Sequence, residues 1–127
     1  MDTPNSVPDD ACCSLDSLYD DAEERIVDLG EQAPDPGEVA TQGTVFKALA
    51  NEKRLRILGA LRDGELCVCE LQAVLHAPQS TVATHLRTLK DAGLVSSRKS
   101  GKWTYYRIAD TATFELLDMA AAIDTWE

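Results

Sequence analysis

The spacing of apolar residues divides the chain into a leader and a series of closely spaced helices. From Ser14 to about Glu31, Leu15, Leu18, Ala22, Ile26 and Leu29 recur at helical spacing with acids between them. That pattern predicts one amphipathic helix, stopped near Gly30 and followed by a Pro34-Asp35-Pro36-Gly37 linker. Glu38 to Ala50 predicts the first core helix, with Val39, Val45, Phe46 and Leu49 inward. Asn51 suits the N-cap of a second helix reaching about Leu61. Its apolar face is Leu55, Leu58 and Leu61, with Ile57 beside it, and Asp63-Gly64 closes it. Residues from about Val68 to Leu75 predict a short third helix that buries Leu71, Val74 and Leu75. His76-Ala77 is the turn, and Pro78 suits the first position of a fourth helix running to about Ala92. Val82, Leu86 and Leu89 face inward there, opposite the polar Ser80, Thr81, Thr84, Arg87 and Thr88, and Gly93 is the stop. Leu94–Lys99 and Trp103–Ile108 flank Ser100-Gly101-Lys102 and read as a hairpin with a basic tip. Trp103, Tyr105 and Tyr106 read as hairpin packing, Tyr105 facing opposite to both neighbours. Asp110 then caps a last helix carrying Phe114, Leu117, Ala121 and Ile123. Four helices, a hairpin and a helix make a winged helix-turn-helix: mainly α, with a β-hairpin wing. It occupies residues 38–127 behind an acidic extension over residues 1–37.

Charge sharpens this picture. The net charge of −10 over 127 residues seems wrong for a DNA binder, but it is segregated. Residues 1–40 carry twelve acids and one base, Arg25; residues 41–109 carry five acids and eleven bases; residues 110–127 carry five acids and no base. The basic middle is the footprint of a nucleic-acid module with acidic flanks. Asp (13) exceeds Glu (9) and Lys is scarce (5), a balance that would suit a salt-rich cytoplasm. No apolar run approaches the roughly 20 residues that cross a bilayer, and the acidic N-terminus is not a signal peptide. A cytoplasmic protein with reduced thiols is expected, with no membrane partner.

The candidate chemistry lies in two places. In Glu65-Leu66-Cys67-Val68-Cys69-Glu70-Leu71 two thiols stand one residue apart, just upstream of the helix read as the recognition helix. Thiolates are strong ligands for soft metals and metalloids. Within a regular helix this spacing would point them about 200° apart. They can chelate only if Cys67 lies at or before the helix start. On the fourth helix, Gln79 can reach adenine edges, Ser80 and Thr84 can meet bases or phosphates, and Arg87 or Lys90 can hold the backbone. Arg98, Lys99, Lys102 and Arg107 would flank the groove from the hairpin. Against these stand plainer readings: a solvated helix pair, buried cysteines acting as small hydrophobes, and a structural role for His76 and His85.

Leu49-Ala50-Asn51-Glu52-Lys53-Arg54-Leu55-Arg56-Ile57-Leu58, the Glu65–Leu71 run, Gln79-Ser80-Thr81-Val82, His85-Leu86, Leu89-Lys90 and Gly93-Leu94-Val95 together resemble the ArsR-type (ArsR/SmtB) family of metal(loid)-responsive repressors. The wing, Arg98-Lys99-Ser100-Gly101-Lys102 through Tyr105-Tyr106-Arg107-Ile108, matches as well, so that the resemblance covers roughly residues 40–126. It implies a homodimer, joined through the first and last helices, that leaves a double-stranded DNA operator, an inverted repeat, when an ion binds. The implied inducers are As(III)/Sb(III) or Cd(II)/Pb(II), with no organic cofactor. It adds Thr81 and His85 to the residues expected near DNA. Three departures stand out. Ala83 replaces a second Ser in the recognition helix, and Gln72 stands where arsenic sensors often have a third cysteine. The last helix, with Asp110, Glu115 and Asp118, lacks the His of the helical zinc site. By the same resemblance, Cys12 and Cys13 are candidates for the missing ligands. Trivalent arsenic wants three thiolates and cadmium accepts four.

Two other readings remain open: a thiol redox regulator working through these cysteines, and a winged-helix protein-interaction module. No nucleophile–base pair or phosphate-cradling glycine loop suggests an enzyme.

Overall fold

Leu71 and Leu75 on one short helix, and Val82, Leu86 and Leu89 on the next, bury their side chains against each other. Most of the architecture follows from that seam. The computed structural model describes residues 14–123. The helices are α1 (Leu15–Leu18), α2 (Ala22–Gln32), α3 (Pro36–Leu49), α4 (Glu52–Ala60), α5 (Val68–Leu75), α6 (Gln79–Asp91) and α7 (Ala112–Ala122). The strands are β1 (Leu66–Cys67), β2 (Val95–Ser100) and β3 (Trp103–Ile108). Among the described residues no helix is long and apolar enough to cross a membrane. The chain divides into two units, residues 1–38 and 39–127.

In the first unit the expected single helix is two. Tyr19 leaves α1 in an extended conformation, and the Asp21 carboxylate accepts the Glu24 N–H at 3.1 Å to start α2 afresh. An acid that looked like a solvated position is an N-cap. Helix α2 runs on through Gly30 to Gln32. Neither helix buries a residue, and Ile26 and Val27 are more than half exposed. The expected linker is shorter too, because Pro36 begins α3 and Asp35 accepts the Glu38 N–H.

The second unit holds the core. Asn51 accepts from the N–H groups of Lys53 and Arg54 and starts α4 as anticipated. The buried stripe of α4 is Ile57 and Leu58, continued by Leu61 in a 3₁₀ turn (Leu61–Asp63), whereas Leu55 is 38% exposed. Residues 57, 58 and 61 share one face; position 55 lies roughly 110° away. Val74, at 37% exposed, is likewise turned from the Leu71–Leu75 face of α5. On α3 only Ala48 is buried, with Val45 and Leu49 packed beside it. Val39 and Phe46, expected inward, are 47% and 57% exposed. Seven residues apart, these two make a second apolar stripe roughly 120° from the first.

His76, in the left-handed region at φ 52°, ends α5. Pro78 caps α6 from outside rather than opening it. Gly93, at φ 80°, ends α6, and the Leu94 N–H reaches back to the Leu89 carbonyl at 3.0 Å. β2 and β3 pair antiparallel from Val95↔Ile108 to Ser100↔Trp103. Their two-residue turn, Gly101-Lys102, puts the glycine at φ 64°. Tyr106 and Ile108 pack on the core, so Trp103 and Tyr105 share the opposite face, correcting the expected orientation of Tyr105. β1 was not anticipated. Its two residues pair antiparallel with the outer edge of β3, Leu66↔Tyr106 and Cys67↔Tyr105, giving the order β1-β3-β2. Asp110 does serve α7, accepting the Ala112 N–H at 2.9 Å. Of the α7 residues read as inward, Leu117 packs on the core, while Ala121 and Ile123 are exposed. Thr113 is the buried one.

Leu58→Ala should destabilise the fold by about 2–5 kcal/mol, the cost of a core cavity. Leu55→Ala should cost no more than about 1 kcal/mol. Urea unfolding of both variants checks the assignment, and equal losses would contradict it.

Candidate nucleic-acid interface and thiol cleft

α5 and α6, joined through His76–Pro78, form the helix-turn-helix. No side chain caps the start of α6, so its first N–H groups are open to water or to a phosphate. Gln79, Ser80, Thr84 and Arg87 lie exposed along α6, and Thr81 is half-buried. The Thr84 hydroxyl donates to the Ser80 carbonyl at 2.9 Å, leaving its lone pairs for an outside donor. Lys90 Nζ donates to Ser97 Oγ at 2.9 Å and ties α6 to β2.

His85 also lies on α6. It is half-buried and turned toward α4, where Arg54 Nη1 donates to its Nδ1 at 3.3 Å. Arg54 also donates from Nε to the Ala48 carbonyl at 2.6 Å and from Nη2 to the Lys47 carbonyl at 3.2 Å. One guanidinium thus fastens the end of α3 to α6. Since arginine only donates, His85 Nδ1 carries no proton. Burial, then the Arg54 and Lys53 charges, hold the ring below its ordinary value near 6.5.

The wing residues also separate. Lys99 and Lys102 are exposed, and Lys102 Nζ lies 5.4 Å from the Trp103 ring centroid. Arg98 is exposed as well, and it makes a two-pronged pair with Glu65, Nη2 to Oε1 at 2.7 Å and Nε to Oε2 at 2.8 Å, and lies 4.9 Å from the Tyr105 ring centroid. The Arg98 hydrogen bonds hold the Glu65 carboxyl below the usual glutamate range, against the opposing effect of burial, and raise Arg98 in turn. Glu65, part of the thiol motif with no role expected of it, is one of the residues that tie down the wing.

Cys67 and Cys69 are free thiols, half-buried and exposed respectively. They are not small core hydrophobes. Cys67 is the N-cap of α5, with extended backbone at φ −88° and ψ 171°. Its N–H donates to Glu70 Oε1 at 2.8 Å. This meets the geometric condition for a chelating pair, because Cys67 lies outside the helical turn that would set the sulfurs apart. Both cysteines, with Val68, line a cleft of about 290 Å³. Its other walls are Gln72, Gln79 from the start of α6, and Lys102, Trp103 and Thr104 from the wing tip. The thiols and two of the expected DNA-contacting residues therefore share one space. Of these walls, Trp103 and Thr104 escaped sequence reasoning, since only the β1–β3 pairing brings the wing tip beside the thiols. Among the described residues no group of three or more His, Cys, Asp or Glu could hold a metal ion. Cys12 and Cys13 lie outside the described residues.

The comparisons agree with this architecture. Residues 51–97 match the model for the bacterial regulatory proteins of the arsR family. Over 110 residues the chain is 36% identical to the cadmium resistance transcriptional regulatory protein CadC homolog of Staphylococcus aureus, covering 85% of this chain and 87% of that protein. The chain belongs to the arsR family. It is also similar to the arsenic resistance transcriptional regulator ArsR1 of Pseudomonas putida, 44% identical over 72 residues; the match spans 56% of each protein, so about half of that relative's length. Among solved structures, the homodimeric winged helix-turn-helix DNA-binding domain of Mb0332 from Mycobacterium bovis superposes with a TM-score of 0.61 at 34% identity, covering 70% of this chain and 88% of that one. The arsR family consists of DNA-binding transcriptional regulators, not enzymes.

The His85 environment makes a pH prediction. A histidine whose folded pKa lies below its unfolded one adds stability that is complete above about pH 6.5 and is lost as pH falls through the lower folded value. Replacing His85 by Gln should flatten the loss of urea-unfolding stability between about pH 7 and pH 5. A variant that tracks wild type across that window would show that the Arg54–His85 contact does not report on folding.

Proposed function

We propose that this chain is a metal(loid)-responsive repressor that binds an inverted-repeat DNA operator as a homodimer and is released by a thiophilic ion. The ion is arsenite or antimonite, or cadmium or lead. The observation that carries the reading is the shared cleft, which puts Cys67 and Cys69 beside Gln79 and Lys102. In this reading Gln79 and Ser80 read base edges, Thr81, Thr84 and Arg87 hold the α6 register, and Lys99 and Lys102 reach phosphates beside the groove. An ion held by the two thiols draws Cys12 and Cys13 in as further ligands, completing three or four sulfurs. The resulting knot beside Gln79 and the wing tip opposes the docked geometry. Dimerisation is supported by the second α3 stripe, Val39 and Phe46, and by Met119 and Ile123 at the end of α7, exposed by 69% and 71%. Large apolar side chains left exposed on the first and last helices of the domain are the surface a dimer would cover. The relatives named for arsenic and cadmium resistance support the class of ion.

Operator mobility shifts with arsenite, antimonite, cadmium, lead and zinc, run under reducing conditions, test the reading. At least one of the first four should release DNA. Release by an oxidant alone would favour redox sensing instead. Cys67→Ser or Cys69→Ser should leave operator affinity intact and abolish release by the ion; loss of ion-free binding would point to a structural role for the thiols.

Base reading is tested separately. Gln79→Ala or Ser80→Ala should each cost roughly 1–3 kcal/mol of specific affinity, while Lys102→Ala should weaken all sequences alike and lower the salt slope. Operator binding like wild type by both α6 variants would place the recognition surface elsewhere.

A further inference from the structure

A second cavity, of about 300 Å³, opens where the end of α3 and the start of α4 meet the last turn of α6. It shares no residue with the thiol cleft. Thr88 and Asp91, which line it, stand nine and twelve residues beyond Gln79, roughly 14–18 Å along the helix. Neither the base-reading surface nor the thiols account for it. Ala48 and Ala92 give it small apolar walls, and its charged groups are of both signs. Lys47 and Arg54 come from α3 and α4, and Asp91 comes from α6. Among the described residues neither Lys47 nor Asp91 forms an ion pair.

Arg54 is the fixed point of the cavity. The Ala48 carbonyl, the Lys47 carbonyl and His85 Nδ1 each take one of its N–H groups. A guanidinium has five, so two are left, one on each terminal nitrogen. Because the protein already holds the side chain, a ligand that meets those two N–H groups need not order it. The hydroxyls of Thr44 and Thr88 donate to the Ala40 and Thr84 carbonyls at 3.1 and 3.3 Å, which leaves each with lone pairs only. The cavity therefore offers cationic donors from α3 and α4, and a carboxylate and hydroxyl acceptors around them.

We propose that this cavity binds a small zwitterion, an amino acid with a short side chain, its carboxylate on Arg54 and Lys47 and its ammonium on Asp91. A plain carboxylate would meet Asp91 as a like charge, and a plain amine would meet Arg54 and Lys47, so each half of the ligand is disfavoured alone. The volume, at the low edge of small-molecule pockets, suits a ligand of few atoms. The site is independent of the thiol-responsive reading.

The test titrates the isotope-labelled full chain with L-serine, β-alanine and γ-aminobutyrate, whose charges lie progressively farther apart. It adds the two halves of serine, β-hydroxypropionate without the ammonium and ethanolamine without the carboxylate. At least one zwitterion should bind with a Kd in the millimolar range or tighter. It should shift the backbone amide signals of Lys47, Arg54, Thr88 and Asp91 more than those of Cys67 and Cys69. The carboxylate-only and amine-only probes should bind about tenfold more weakly or worse, the size of a lost charge-assisted hydrogen bond. Lys47→Gln and Asp91→Asn, both at exposed positions, should each weaken the zwitterion about tenfold. Asp91→Asn should also remove the preference for the zwitterion over its carboxylate-only analogue, which a merely structural change would not do. The proposal is overturned if no zwitterion binds, or if either half-ligand binds as well as the whole. It is equally overturned if Asp91→Asn keeps the wild-type preference, since the cavity would then be a simple anion site. None of these failures touches the thiol reading, whose residues lie elsewhere.

Discussion

The pairing of Leu66 and Cys67 with Tyr106 and Tyr105 is two residues long, and both candidate functions depend on it. It holds the backbone extended up to the first turn of α5, where Glu70 then accepts the Cys67 N–H. Were the helix to begin two residues earlier, Cys67 and Cys69 would leave it about 200° apart. The same pairing carries the wing. Because β3 is the central strand, Cys67, Tyr105 and Arg98 fall in one transverse row of the sheet. The Glu65–Arg98 pair closes that row from outside. Under the proposed function, a ligand that displaces Cys67 therefore pulls on the strand from which the wing tip hangs. Such short edge strands are weak on their own, so the row is held jointly by the ladder, the ion pair and the Tyr105 contact.

Charge organises the rest in a layered way. The basic residues of the middle segment are not equivalent once their partners are known. Arg54 fastens α3 to α6, Arg62 pairs with Asp118 and reaches the Phe114 carbonyl, and Arg98 is held by Glu65. Three arginines that count toward the positive footprint thus make internal contacts. Arg87, Lys99 and Lys102 remain exposed on the α6 and wing surfaces. Exposed charges act over a Debye length of about 8–10 Å at physiological salt. Local placement on α6 and the wing thus governs approach to DNA more than the net charge of −10.

The legible and illegible parts of this fold differ for physical reasons. α5, α6 and the hairpin were readable because punctuation and periodicity coincide there: Pro78 before α6, Gly93 after it, and Val82, Leu86 and Leu89 between. α3 was not readable in its facing. It carries two apolar stripes, one for the core and one left exposed, and periodicity does not say which is which. The stripe of α4 was misplaced because Leu55, Leu58 and Leu61 fit a helical face nearly as well as Ile57, Leu58 and Leu61. Only packing separates them. The break at Tyr19–Asp21 was hidden because an acid that caps and an acid that is solvated look alike in sequence. β1 is too short for any alternation to show. With it went one wall of the cleft, the one contributed by Trp103 and Thr104. The condition on Cys67 could be stated from helix geometry alone. Which residues would surround it could not.

Under the proposed function, the shared cleft also limits how a ligand can act. Moving a population from 99:1 bound to 1:99 requires a ligand to prefer the released form by roughly 5.5 kcal/mol. A ligand with equal affinity for both forms shifts nothing, however strong its bonds to sulfur. The preference must come from contacts that cannot coexist with DNA. A base-reading side chain is worth roughly 1–3 kcal/mol, so displacing Gln79 alone would be insufficient. Displacing Gln79 and the wing tip in both protomers of a dimer reaches the required magnitude. By linkage the operator must weaken ligand binding by the same factor. A cleft walled by α5, α6 and the wing together supplies that mutual exclusion more directly than a site confined to one helix. In that reading the thiols need not touch DNA for their occupancy to control it.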